Sequence, residues 1–304
     1  MSSLRITLFG RLRCTLDDQD LKGLDARKVQ ELFIYLLLHR ARPCTRDALA
    51  TLLWGERATA QAKKNLRQTL WQLQGALDGA ASPNGPLLCA TAEWVEINPA
   101  AGLWLDVEHF ERAYAATRQV ADHDLTPEQV SALRRAAELY DGDLLEGWYH
   151  DWCIFERERL QGMYLAMLDK LVAHAECMAD FATAVHYCEL SLRCDPARER
   201  THRRLMRLHA LAGNRTAALR QFELCRAMLA DELGVEPAQS TVALYEHIRQ
   251  DSLGAHGESA VPADASGVGD ILRRLRTVHA TLTAALDQVQ QDIEAVERMI
   301  QRTR

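Results

Sequence analysis

The sequence contains no CxxC pair, no GxxxxGK[ST] phosphate loop, no HExxH and no GxSxG. The short motifs of zinc ribbons, P-loop nucleotide hydrolases, zinc proteases and serine hydrolases are therefore all missing. Long apolar runs are missing too. The longest of note is Leu32–Leu38, "LFIYLLL", far short of the roughly 20 residues a bilayer-crossing helix needs. The amino terminus lacks the n-region, h-region and cleavage pattern of an export signal. These absences predict a cytoplasmic protein with no membrane partner. Gly (16) and Pro (8) are sparse among 304 residues, which argues against a largely disordered chain. The eight cysteines, Cys14, Cys44, Cys89, Cys153, Cys177, Cys188, Cys194 and Cys225, are scattered through apolar helical patterns and read as reduced, buried thiols. His174, Cys177, His186 and Cys188 would converge only if their helices paired antiparallel, and their spacing fits no established zinc site. No metal, no cofactor and no catalytic residue is expected, so the chain is not read as an enzyme.

What is present is globular: 48% apolar and 26% charged residues, enough for two domains of ordinary size and an appendage. The net charge of −6 is unevenly spread. Residues 1–100 hold 13 Lys and Arg against 10 Asp and Glu, a balance of +3, which leaves 23 against 32, or −9, for the remainder. Phosphate neutralisation dominates non-specific DNA affinity, so the asymmetry permits DNA binding by the first part only.

Along the chain, "LRITLFGRLRCTL" (Leu4–Leu16) alternates around Gly10 and predicts short antiparallel strands. Ala26–His39 has the apolar face of a helix, and Thr45 is a natural N-cap for a second helix over Arg46–Leu53. "WGERAT" breaks that helix at Gly55, a third runs from about Thr59 to Asp78, and Leu87–Ile97 reads as a hairpin with its tip at Thr91–Glu93. From Asp106 onward helices follow one another: Val107–Val120, Pro127–Tyr140, Trp152–Met178, Ala182–Arg193, Arg198–Ala212, Thr216–Leu233 and Gln239–Gln250. Ala184 and Cys188 align with Ala218 and Phe222 at a 34-residue offset, the tetratricopeptide period.

Asp251–Gly269 is rich in small and polar residues and reads as a linker. Beyond it, Ile271, Leu275, Val278, Leu282, Leu286, Val289, Ile293, Val296 and Ile300 recur at 4-3-4-4-3-4-3-4 spacing, a heptad seam with one stutter. Such a narrow seam needs a partner: a homodimer through this helix is expected, with a different protein carrying the same seam as the alternative.

The third helix carries the functional argument. With Leu66 at zero on a 100° wheel, Ala62, Leu70, Leu73 and Leu77 fall within about 40° and form the core stripe. Arg67 falls at about 100°, Trp71 at about 140°, Lys64 at about 160° and Gln68 at about 200°. Arg and Lys can donate to guanine or phosphate, and Gln can pair with adenine. Trp71 could stack on a sugar, but a half-buried packing role beneath the hairpin is the expected one. Trp148, Tyr149, Trp152 and Phe155 form an aromatic cluster whose expected role is docking helices or domains together.

"LDARKVQELFIYLLLHRARPCTRDALATLLWGE" followed by "AKKNLRQTLWQL" resembles the OmpR-type winged helix of the SARP family, the Streptomyces antibiotic regulatory proteins. "WLDVEHFERA", "LYDGDLLEGWYHDWCIFERERL", "CDPARERTHRRLMRLHALAGNRTAALRQFE" and "ELGVEP" resemble the bacterial transcriptional activator domain that accompanies it. The resemblance covers residues 4–250. It implies a mainly α chain with a small β component: a winged helix-turn-helix over 1–105 and a tetratricopeptide-like domain over 106–250. The linker 251–269 and a coiled-coil helix over 270–304 follow these two parts. It also implies binding to double-stranded promoter DNA and recruitment of RNA polymerase. On the matching positions, Lys63, Lys64, Asn65, Arg67 and Gln68 would face the groove, Arg27, Lys28 and Arg46 the DNA backbone, and Gly55, Glu56 and Arg57 polymerase. Gln74 stands where the family commonly has Arg. The competing reading is a protein-binding scaffold whose winged helix has lost DNA.

Overall fold

The computed structural model describes residues 4–78 and 85–250; the linker 251–269 and the heptad helix 270–304 lie outside them. Met1–Gln250 make one compact unit. It opens with strands β1 (Leu4–Thr7), β2 (Arg13–Leu16) and β3 (Gln19–Asp20), followed by helix α1 (Arg27–Leu38). The short strand β4 (Cys44–Thr45) leads into α2 (Arg46–Trp54) and α3 (Thr59–Leu77), and β5 (Leu88–Ala90) and β6 (Trp94–Ile97) form the hairpin. β7 (Leu103–Leu105) closes this part. Two sheets result among the described residues, in the orders β3-β2-β1-β7 and β4-β6-β5. Three helices between a strand-bearing entry and a hairpin make a winged helix-turn-helix, as expected.

β7 was not legible in the sequence. It pairs parallel to β1, with Leu4 opposite Leu103 and Ile6 opposite Leu105, yet three residues are too few to display an alternation. This pairing brings the start of the helical region onto the sheet. Asp106 then anchors the joint: its buried carboxylate accepts from the backbone N–H of Leu8 (2.7 Å), Phe9 (3.0 Å) and Val107 (2.7 Å). Burial raises its pKa, and those three bonds oppose the rise. Gly10, at φ 71°, lets the chain turn close beneath Asp141, and Leu8 and Gly10 exchange backbone bonds with Asp143, Leu145 and Glu146.

The helical region comprises α4 (Asp106–Thr117), a 3-10 turn at Asp122–Asp124, α5 (Pro127–Leu139), α6 (Asp151–Cys177), α7 (Phe181–Cys194), α8 (Glu199–Leu211), α9 (Arg215–Leu233) and α10 (Gln239–Arg249). Thr126 and Gln129 form a reciprocal capping box at the start of α5. The 34-residue repeat is structural: Ala184 and Ala218 are fully buried at successive helix crossings, and Cys188 and Phe222 fill equivalent layers. Small residues there let neighbouring backbones approach. The turns obey the same offset, with Ala179 and Gly213 both at positive φ (54° and 76°). Desolvation pushes the thiols of Cys14 and Cys188 to about 12 and that of Cys225 to about 11, so these cysteines are inert filling. His174, Cys177, His186 and Cys188 do not assemble a ligand set among the described residues.

One continuous core runs from Leu4 to Leu171 through both the winged helix and the first helices after it. Arg40 at the end of α1 pairs with Glu111 on α4, which also accepts from Arg159 on α6 (2.7 Å). The Arg157 guanidinium donates to the carbonyls of Leu144, Leu145 and Trp148 at 3.0–3.1 Å. The shared core and the Arg40–Glu111 pair hold the winged helix against the helical body, and Arg157 fastens the Leu144–Trp148 loop to α6, so α3 is presented from a rigid support.

Candidate nucleic-acid interface

Helix α3 has no Asp or Glu anywhere in its 19 residues. Its inner side buries Ala62, Leu66, Thr69, Leu70, Leu73 and Leu77 against α1 and α2. Six buried side chains along one stripe fix its rotation, and the remaining residues face outward as a consequence. Lys63, Lys64, Arg67, Gln68, Trp71, Gln72 and Gln74 are all exposed. Among the described residues Lys64, Arg67 and Gln68 make no hydrogen bond or ion pair. Lys63 is paired to Asp47 of α2 at 2.8 Å, and Asn65 accepts from Gln61 at 2.8 Å. The five residues assigned to the groove therefore divide into three with unengaged polar ends and two with local partners.

The supporting elements are positioned by their own chemistry. Thr45 caps α2, its hydroxyl accepting from Ala48 N–H at 3.1 Å. Arg46 braces the wing: its backbone N–H donates to Glu93 O (2.9 Å) and its side chain to Thr91 O (2.7 Å). Thr91 organises the wing tip by accepting from Glu93 and Trp94 N–H. Gly55, Glu56 and Arg57, the loop between α2 and α3, are exposed. A Cβ on Gly55 would lie 2.7 Å from the Thr51 carbonyl, so the turn requires glycine there.

The two cations at the start of α1 sit at the joint as well as at the surface. The Arg27 guanidinium lies over the Trp148 ring at 3.6 Å. Lys28 pairs with Glu31 at 2.8 Å and stands 5.8 Å over Trp54. Glu31 is itself buried and faces His150 at 3.6 Å. The aromatic cluster is split: Trp148 is buried and Trp152 meets Tyr35 edge-on at 5.6 Å, so both dock α1 to the helical body. Tyr149 and Phe155 point to solvent.

Trp71 overturns one expectation. It is 74% exposed rather than half-buried beneath the hairpin, because α3 is rotated by its leucines so that position 71 looks outward. Shallow grooves flank it, one toward Pro86–Leu88 and one toward Gly23–Val29. Wheel geometry places Trp71 at about 140° from the core stripe, so its exposure was readable; the size of the indole argued the other way.

Fold and site together define a winged-helix protein built onto a body of stacked helix pairs. Residues 105–249 match the family model described as the bacterial transcriptional activator domain. The chain is 28% identical to the regulatory protein AfsR of Streptomyces coelicolor over 82% of its own length and 24% of that protein. It is 27% identical to the regulatory protein DnrI of Streptomyces peucetius, over 79% of this chain and 91% of that one. The chain is similar to these regulators, and spans about a quarter of the length of its AfsR relatives. A solved structure of Mycobacterium tuberculosis EmbR, in complex with a low affinity phosphopeptide, shares the fold with a TM-score of 0.66 at 22% identity, covering 95% of this chain and 72% of that one.

Proposed function

We propose that this chain is a sequence-specific transcriptional regulator that inserts α3 into the major groove of promoter DNA and activates by recruiting RNA polymerase. The observation that carries the reading is the outward face of α3: Lys64, Arg67 and Gln68 share one side, lack partners among the described residues and meet no acidic residue on their own helix. A carboxylate on that face would repel phosphate, and a partnered cation would have to break its pair before binding. The winged-helix support and the named regulators among its relatives favour the same reading.

In this scheme Lys64, Arg67 and Gln68 read bases, with Lys63 and Asn65 at the flanks. Arg46 and the wing tip touch the sugar-phosphate backbone, joined by Arg27 and Lys28 at the start of α1. Gly55, Glu56 and Arg57 meet polymerase. The seam Leu275, Val278, Leu282, Leu286, Val289, Ile293, Val296 and Ile300 holds two copies together. The protein works in the cytoplasm and performs no chemistry of its own. The test is an electrophoretic titration of the full chain on duplex from the region upstream of its own gene, across salt concentrations. Wild-type binding should weaken steeply with salt, and Lys64→Ala/Arg67→Ala should lose the specific complex while keeping the wild-type melting temperature. Unchanged retardation by that double variant would remove α3 as the reading element.

A further inference from the structure

Two observations at the carboxyl half of α3 are unexplained by packing. Trp71 presents its indole to solvent, and one turn later Gly75 stands in the helix with nothing within 4 Å of where a Cβ would be. Glycine in a helix costs roughly 0.5–1 kcal/mol relative to alanine, and here no neighbour requires it. Both grooves beside Trp71 reach Gly75, so the pair forms a knob and an adjoining notch. They lie on the ridge that carries Lys64, Arg67 and Gln68. Lys64 to Trp71 spans two turns, about 10 Å of rise, which fits within a major groove about 12 Å wide.

We propose that Trp71 and Gly75 form a second reading surface: the indole packs on the 5-methyl edge of a thymine, and the missing side chain at Gly75 admits the sugar-phosphate strand bordering the groove. An apolar face is the matching chemistry for that methyl, which only thymine presents in the major groove. The occupant is DNA because this ridge is cationic and free of carboxylates over the whole of α3. The inference rests on the DNA-binding reading given above, and asks where its base preference resides.

The experiment begins with selection from a randomised duplex library by full-length wild-type protein. Each thymine of the selected site is then replaced by deoxyuridine, which removes only the methyl. One replacement should weaken wild-type binding about four-fold, the worth of one buried carbon, and Trp71→Ala should bind both duplexes equally. Trp71→Phe should restore part of the discrimination. Gly75→Ala should melt above wild type yet bind the selected site several-fold more weakly. If Trp71→Ala selects the same site with the same methyl sensitivity, the assignment fails, the DNA reading stands, and the indole belongs to a protein contact. If Gly75→Ala binds as wild type does, the notch admits no strand and the proposal fails in that part. If wild-type protein enriches no sequence, the functional reading fails first, and this inference with it.

Discussion

Helix α8 packs Arg200, Arg203, Arg204 and Arg207 into 13 residues, whereas α3 spreads Lys63, Lys64 and Arg67 over 19. By cation count α8 would be the nucleic-acid element. The difference lies in what surrounds the charges. Arg204 makes two bonds to Glu176 of α6 (2.8 and 2.7 Å), Arg203 donates to Ser240 of the α10 start (2.9 Å), and Arg198 at the N-cap grips Asp169 with both nitrogens (3.1 and 2.8 Å). These three guanidiniums hold stacked helices together, while Arg200 and Arg207 of α8 stay at the surface beside them. Among the described residues, Lys63 is the only cation of α3 paired with an acid. A basic helix marks a phosphate surface when its cations are unpaired, and the uneven charge balance of the chain, +3 in the first hundred residues and −9 after them, expresses that distinction.

The sharpest way to break the comparison is to exchange the costs. Lys64→Ala/Arg67→Ala should reduce specific DNA affinity by about a hundred-fold, since each base-reading contact is worth roughly 1–3 kcal/mol, with the thermal midpoint unmoved. Arg204→Ala should do the reverse. Its side chain is 16% exposed and its loss strands Glu176, so stability should fall by about 2 kcal/mol, below the range for fully buried pairs because Glu176 keeps some water. Denaturant unfolding and DNA titration of both variants measure the two effects separately. A DNA defect in Arg204→Ala at temperatures where it is folded would abolish the distinction.

Acid should act on the body in the same one-sided way. His202 is buried, with one ring nitrogen 2.8 Å from Pro196 O and the other 2.6 Å from the Gln221 amide. The neutral ring satisfies both, donating to the carbonyl and accepting from the amide. Burial holds its pKa below the usual value. Between that depressed value and about 6.5 the unfolded chain binds the extra proton, so stability is full above about pH 6.5 and declines as pH falls, by at most about 1.4 kcal/mol per pH unit. His202→Gln should flatten that decline in a pH series of unfolding curves.

A smaller gain is expected at the turn between α6 and α7. Ala179 occupies the left-handed region where its repeat counterpart is Gly213, and an L-residue there is strained by roughly 1–2 kcal/mol. Ala179→Gly should raise stability by about 1 kcal/mol, less the added freedom of the unfolded chain, and leave DNA binding alone. A lower melting temperature would show that the turn depends on the methyl.

Most of the fold could be read directly. The leucines of α3, the Thr45 cap and the Ala184/Ala218 offset each express a local period, and local periods survive into structure. What escaped depends on residues far apart in the chain. Strand β7 exists because β1 offers it an edge, and Arg27 rests on Trp148 across more than a hundred positions. No spacing encodes either. The proposed reading face is an intermediate case: the wheel gave the outward side of α3, but which of its cations were already paired required α2 in place.

Lys63 tests that last point at the smallest scale. Its partner Asp47 is 73% exposed, and the ammonium is half exposed, so the pair contributes little to stability. Its consequence for DNA should be larger than for the fold, because Asp47 both occupies Lys63 and sets a carboxylate beside the phosphate path. Asp47→Ala should therefore strengthen DNA binding by a few-fold at low salt, an advantage that shrinks as salt screens the removed charge. Lys63→Ala in the same background should erase the gain. If Asp47→Ala instead weakens binding, the pair is a positioning device for Lys63, and pairing would then direct a cation toward DNA rather than withhold it.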